Sequence, residues 1–93
     1  MYAITFDLDT TVLEKYHDTS YSNACTDIRK VLVDKYGFEW QQGLVYFGGK
    51  TVNTVSCVLA VQELASRYEW FESSVRGIRM LRIEENSDLM PAI

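Results

Sequence analysis

The chain has 93 residues, which fits one compact domain, 1–93, and leaves no room for a second. A hydrophobic share of 47% supplies a core, and 24% charged residues is ordinary for a folded protein, which excludes a disordered chain. The net charge of −4 argues against a protein that coats nucleic acid by bulk electrostatics, because such domains carry a basic footprint.

Residues 2–9, YAITFDLD, alternate cleanly. Tyr2, Ile4, Phe6 and Leu8 point one way, and Ala3, Thr5, Asp7 and Asp9 the other. This predicts a half-buried strand with an acidic far end. No basic stretch precedes it, and no apolar run approaches the roughly 18 residues of a membrane span, so a cytoplasmic protein without membrane contact is expected. Residues 10–19 read as a polar connection, with a helix start around Asp18 to Ser20.

Tyr21, Cys25, Ile28, Leu32 and Tyr36 then recur at helical spacing, with Asp27, Arg29, Lys30 and Asp34 off the stripe. Gly37 closes this helix. Residues 38–42 and 44–48 have strand character around Gly43, which predicts a hairpin or bulged turn. Thr51 or Asn53 starts a second helix reaching about Tyr68, with an apolar face that includes Val55, Val58, Leu59, Val61 and Leu64. A short turn over 69–74 leads into a last strand over 75–84 and a tail over 85–93. Cys25 and Cys57 both fall on helices and read as small buried hydrophobes. With no CxxC and one histidine, neither a disulfide nor a cysteine–histidine metal site is expected.

The order β-α-β-β-α-β in so short a chain is the α+β, ferredoxin-like pattern. It predicts a four-stranded antiparallel sheet with two helices on one face. The other face stays open and carries Asp7. Its apolar groups predict that two copies pack their sheets together as a homodimer.

Asp7-Leu8-Asp9-Thr10-Thr11 matches the DxDxT of the haloacid dehalogenase phosphatases, but that fold needs a parallel doubly wound sheet that this chain is too short to build. The bland reading is that both aspartates end a strand and solvate a turn. Three longer blocks carry more weight: MYAITFDL at 1–8, GFEWQQGLVY at 37–46 and EWFESSVRGIRMLRIEENSDL at 69–89. In content, order and spacing the chain resembles the VapD family. That resemblance implies a ferredoxin-like homodimer related to the small CRISPR-associated nucleases, and endoribonuclease activity, often as the toxin of a toxin–antitoxin module with an antitoxin protein as partner. It implies that Asp7 is catalytic and sits near the dimer two-fold, facing the scissile phosphate. The chain departs from the family pattern at Gly77, where relatives commonly carry an acid between the two arginines of the last strand. Asp9 is, conversely, an extra acid, a helper to Asp7 at most.

The chemistry is coherent on its own terms. Phosphodiester cleavage needs a base for the 2′-hydroxyl or for water, and cations to balance charge on the phosphate. Two Asp7 carboxylates brought together repel one another and would share a proton that neither would hold alone; alternatively they would hold Mg²⁺ through oxygen ligands. The residues do not choose between these, and no metal ligand set is assigned. Arg76, Arg79 and Arg82 form the one dense basic cluster. Arg76 and Arg79 are the candidates for phosphate binding, against a bland reading of strand solubility and pairing with Glu84, Glu85 or Asp88. Gln42 and Tyr46 are candidates for contact with a base or sugar, with packing as the equal alternative for Tyr46. Trp40 and Trp70 could stack on unpaired bases, though packing is favoured. His17 reads as a solvated loop residue.

An endoribonuclease that cuts single-stranded or loop RNA is thus the leading expectation. Its rival is a non-catalytic dimeric adaptor of the same fold that binds nucleic acid or protein.

Overall fold

The computed structural model describes all 93 residues. Strand β1 (Tyr2–Leu8) leads into helix α1 (Thr10–His17) and helix α2 (Tyr21–Arg29), which continues as a π-helical turn, Lys30–Lys35. Strands β2 (Phe38–Gln42) and β3 (Val45–Gly48) form a hairpin, followed by helix α3 (Thr54–Arg67), the single turn α4 (Phe71–Ser74) and strand β4 (Val75–Arg82). A 3₁₀ turn, Met90–Ala92, ends the chain. The sheet order is β2-β3-β1-β4, antiparallel throughout, so the expected ferredoxin-like α+β arrangement is present.

The β1 alternation sorts as its period requires. Ile4, Phe6 and Leu8 enter a core shared with Ile28, Val31 and Leu32 of the second helix and Cys57, Ala60 and Leu64 of α3, while Asp7 is exposed on the other face. Gly37 (φ 75°) and Gly43 (φ 51°) supply the left-handed backbone that ends the helix and turns the hairpin. Both cysteines are free, Cys57 buried and Cys25 half-buried.

Four details differ from expectation. Residues 10–17 are not a polar connection but helix α1, held by Asp9, whose side chain accepts from the Val12 backbone N–H at 3.1 Å, and anchored by Leu13, which is wholly buried. The 69–74 turn contains α4, and β4 stops at Arg82. The face that α3 buries is the one bearing Cys57, Ala60 and Leu64, whereas Val55, Val58 and Leu59 are exposed. The buried stripe follows helical spacing at Cys57, Ala60 and Leu64, which turns Val55, Val58 and Leu59 off the core.

The two main helical segments are tied together at Glu63. Lys35 Nζ lies 2.6 Å from its carboxylate, the Tyr36 hydroxyl donates to it at 3.0 Å, and Arg67 stands 3.8 Å away. Lys35 is the main cause holding the Glu63 carboxyl below the usual range, helped by Tyr36 and Arg67 against partial desolvation. A carboxyl depressed in the folded state stabilises above its unfolded value and loses that contribution as pH falls. Glu63→Gln is therefore expected to lower Tm at neutral pH. The gap from wild type should close below about pH 4, in the range where an ordinary glutamate protonates. A thermal melt series across pH checks this.

Candidate active site

The site begins at the C-terminal end of β1. Thr5 and Asp7 share the open face. In register, Thr5 lies opposite Arg79 and Val45, and Asp7 lies directly opposite Gly77. Ala3, two residues earlier, lies between Phe47 and Leu81. The open face thus has an apolar middle, with Val45 and Phe47 half-buried and Leu81 47% exposed, and an acidic end at Asp7.

Asp7 is exposed and makes no side-chain hydrogen bond or ion pair within the chain. Asp9 differs in kind. Its carboxylate caps α1, and its backbone N–H donates to the Ser74 carbonyl at 2.7 Å. A residue tied at both points serves the β1–α1 junction, which explains the second acid of the DxDxT pattern structurally.

Across the ladder, pairing jumps from Asp7–Gly77 to Leu8–Val75, leaving Arg76 as the extra residue of a β-bulge. Gly77 sits beside this bulge, a place where strand glycines recur. The bulge swings Arg76, which is exposed, out of the regular alternation. Arg79 is exposed on the Asp7 face, one diagonal step away; such diagonal neighbours are about 7–8 Å apart. Arg82 follows the bland reading, its Nε 3.0 Å from Glu84. A Cβ built on Gly77 would meet nothing within 4 Å, so there is open space beside the carboxylate.

Gln42 is exposed at the last β2–β3 pair, opposite Val45. The hairpin turn lies at the same end of the sheet as Asp7, since the Phe6 N–H donates to the Leu44 carbonyl at 3.1 Å. Tyr46 requires a correction. It is wholly buried on the helix side of the sheet, packed edge-on to Phe6, and it cannot touch a substrate; packing is its role. Burial pushes its phenol up. The Arg29 guanidinium is close enough to pull the other way, although the hydroxyl has no partner in hydrogen-bonding geometry. Trp70 is buried against Tyr68 and Phe71, whereas Trp40 is 44% exposed. His17 is not a solvated loop residue. It ends α1, half-buried, with Nε2 2.6 Å from the Ser73 hydroxyl.

Sequence reasoning passed over Arg29, which was placed off the apolar stripe. The guanidinium carbon lies 3.8 Å from the centre of the Trp40 ring. The available signal was the i, i+4, i+8 spacing of Tyr21, Cys25 and Arg29, which puts the three on one line along α2. No three His, Cys, Asp or Glu side chains converge anywhere in one copy, and no helix is long and apolar enough to cross a membrane.

An exposed acid, flanking arginines and an antiparallel open sheet define a small α+β protein with one free carboxylate at the end of its first strand. No family model matches the chain. Individual relatives do match, over nearly its full length. It is 53% identical to an endoribonuclease VapD homolog of Helicobacter pylori, covering all of this chain and 96% of the relative. It is 49% identical to endoribonuclease VapD 2 of Riemerella anatipestifer, covering 100% and 99%. It is 41% identical to endoribonuclease VapD of Dichelobacter nodosus, covering 95% and 91%. The chain belongs to the VapD family.

Proposed function

We propose that the chain is an endoribonuclease that cuts single-stranded or loop RNA in the cytoplasm, with Asp7 at the centre of a site completed by a second copy. The observation that carries this reading is the state of Asp7, a carboxylate at a strand end with no structural partner, facing open space beside Gly77. An acid that does nothing for its own fold is available for chemistry. The relatives' shared name, endoribonuclease, supplies the reaction class.

Within one copy, Asp7 is suited to take the proton of the attacking 2′-hydroxyl or water, and Arg79 and Arg76 to balance charge on the phosphate. Gln42 lies at the same sheet end and can offer its amide to a base or sugar. Asp9 is committed to its cap, so one copy offers one free carboxylate here. The apolar middle of the open face (Val45, Phe47, Leu81) supports sheet-to-sheet pairing of two copies, which would bring a second Asp7. A Mg²⁺ ion, if used, would draw on both.

Family membership also supports a toxin role with an antitoxin protein as partner. Induced expression should arrest growth, and co-expression of the cognate antitoxin should relieve the arrest.

The direct test is incubation of the purified chain with mixed-sequence RNA, with and without EDTA. Internal fragments are expected. A 2′,3′-cyclic phosphate end would assign attack to the 2′-hydroxyl, and loss of cleavage in EDTA would assign a metal. RNA bound but uncut would instead support the adaptor reading, which the single acid per copy favours. Neither binding nor cleavage would refute the endoribonuclease and the RNA-binding adaptor alike, leaving only an adaptor that binds protein.

A further inference from the structure

The Asp7 end of the sheet does not stop at the open face. The β2–β3 turn lies beside it, and Trp40 is pinned to that turn by its indole N–H, which donates to the Gly43 carbonyl at 2.9 Å. Arg29 from α2 stacks on the same ring at 3.8 Å. Both side chains are exposed, and no carboxylate lies within ion-pair distance of Arg29, unlike Lys35, Arg67 and Arg82. The guanidinium is therefore held by the ring and is not committed to a carboxylate of the chain. An indole held in one orientation beneath a planar cation has the form of a platform on which an unpaired base stacks.

We propose that Arg29 and Trp40 form a stacking subsite for a nucleobase of the single-stranded RNA cut at Asp7, engaging the strand a few nucleotides from the scissile bond. This rests on the endoribonuclease reading above. The span follows from α2. Tyr21, at the Asp7 end, and Arg29 lie on one helix line eight residues apart, about 12 Å at the helical rise. Tyr21 is 40% exposed. Its phenol is pushed up by burial first and then by Cys25, with a further contribution from the Asp7 charge, so the two groups feel one another. A strand cut at Asp7 on the open face would turn around this end of the sheet, past Tyr21, to reach Arg29 and Trp40 on the helix side. The guanidinium offers a flat face to a base and N–H groups at its rim to the adjoining phosphate.

The test measures binding of fluorescein-labelled 2′-O-methyl oligoribonucleotides, a dinucleotide and a hexanucleotide, to the chain carrying Asp7→Asn. Trp40→Leu and Arg29→Gln, each added to that chain, should weaken hexamer binding about tenfold and leave the dinucleotide unchanged. Trp40→Phe keeps a ring and loses the Gly43 bond, and should stay within about twofold. With Asp7 intact, Trp40→Leu should raise KM about tenfold with kcat nearly constant.

Hexamer binding unaffected by Arg29→Gln or Trp40→Leu would overturn the subsite. So would equal losses for dinucleotide and hexamer, or a Trp40→Phe loss as large as that of Trp40→Leu, since either would mark a structural role. Should Trp40→Leu misfold, the surface change Arg29→Gln decides. If the wild-type chain cuts RNA while these variants bind normally, only the subsite falls. If it neither binds nor cuts RNA, the endoribonuclease reading falls with it.

Discussion

Asp7→Asn is expected to reduce RNA cleavage by at least about a hundredfold, the lower end of what a positioned acid or base contributes. The same variant should fold normally, with Tm essentially unchanged. Asp7 is exposed, accepts no hydrogen bond within the chain and pairs with no cation. Surface substitutions of that kind usually change stability by no more than about 0.5 kcal/mol. Measuring cleavage and melting together separates a chemical role from a structural one. Asp9→Asn gives the contrast. Asparagine is also a good N-cap, so that variant should keep both stability and most activity, whereas Asp9→Ala should destabilise α1 by about 1 kcal/mol. Equal cleavage by wild type and a folded Asp7→Asn would remove Asp7 from the mechanism.

Gly77→Asp is expected to raise cleavage about tenfold, less than the roughly hundredfold or greater effect of a fully positioned acid–base group, because Asp7 already serves the reaction. The resemblance to the family implies an acid at this position, and the register places it directly opposite Asp7 on the open face. Opposed residues of an antiparallel pair have Cβ atoms about 5 Å apart, so a carboxylate here would stand beside the first. Nothing obstructs it, since a Cβ at Gly77 meets no atom within 4 Å and the backbone is outside the left-handed region. Stability should change little. Repulsion between facing carboxylates opposes the gain from removing glycine's freedom in the unfolded chain, and each is below about 1 kcal/mol. Gly77→Asn has the same shape without the charge and should leave the rate at the wild-type level. If Gly77→Asp cuts no faster, or if Gly77→Asn matches it, a second acid in this pair has no part in catalysis.

Much of the fold was legible because the strand and helix periods differ and few residues break them. The alternation of β1 put Asp7 on the open face, and the stripe from Tyr21 to Tyr36 drew the second helix through its π-helical turn. Helix α1 was hidden because one residue, Leu13, is buried along it and its start is a run of Thr10, Thr11 and Val12. The face of α3 was right at Val61 and Leu64 but wrong at Val55, Val58 and Leu59, because the helix is apolar on most sides. Periodicity then leaves its rotation open, and close packing selects Cys57 and Ala60 over Val55, Val58 and Leu59.

Of the candidate site, the placement of Asp7 was legible and its surroundings were not. Asp7 stood out as an acid on a strand that needed none. That Gly77 faces it depends on a one-residue shift at Arg76, and such a bulge is set by pairing between distant segments. Tyr46 and Trp40 are six residues apart in sequence and directly opposed across the hairpin. One is sealed under α2 and the other carries Arg29 on its face, a difference that only the position of α2 decides.

The most direct test of a shared site is the separation of the two Asp7 carboxylates in a crystal structure of the dimer. We expect them within about 6 Å of one another, the range over which two carboxylates couple, with an open cleft above them wide enough for an RNA strand. Carboxylates far apart, or Asp7 buried beneath the partner, would contradict a site completed by the second copy.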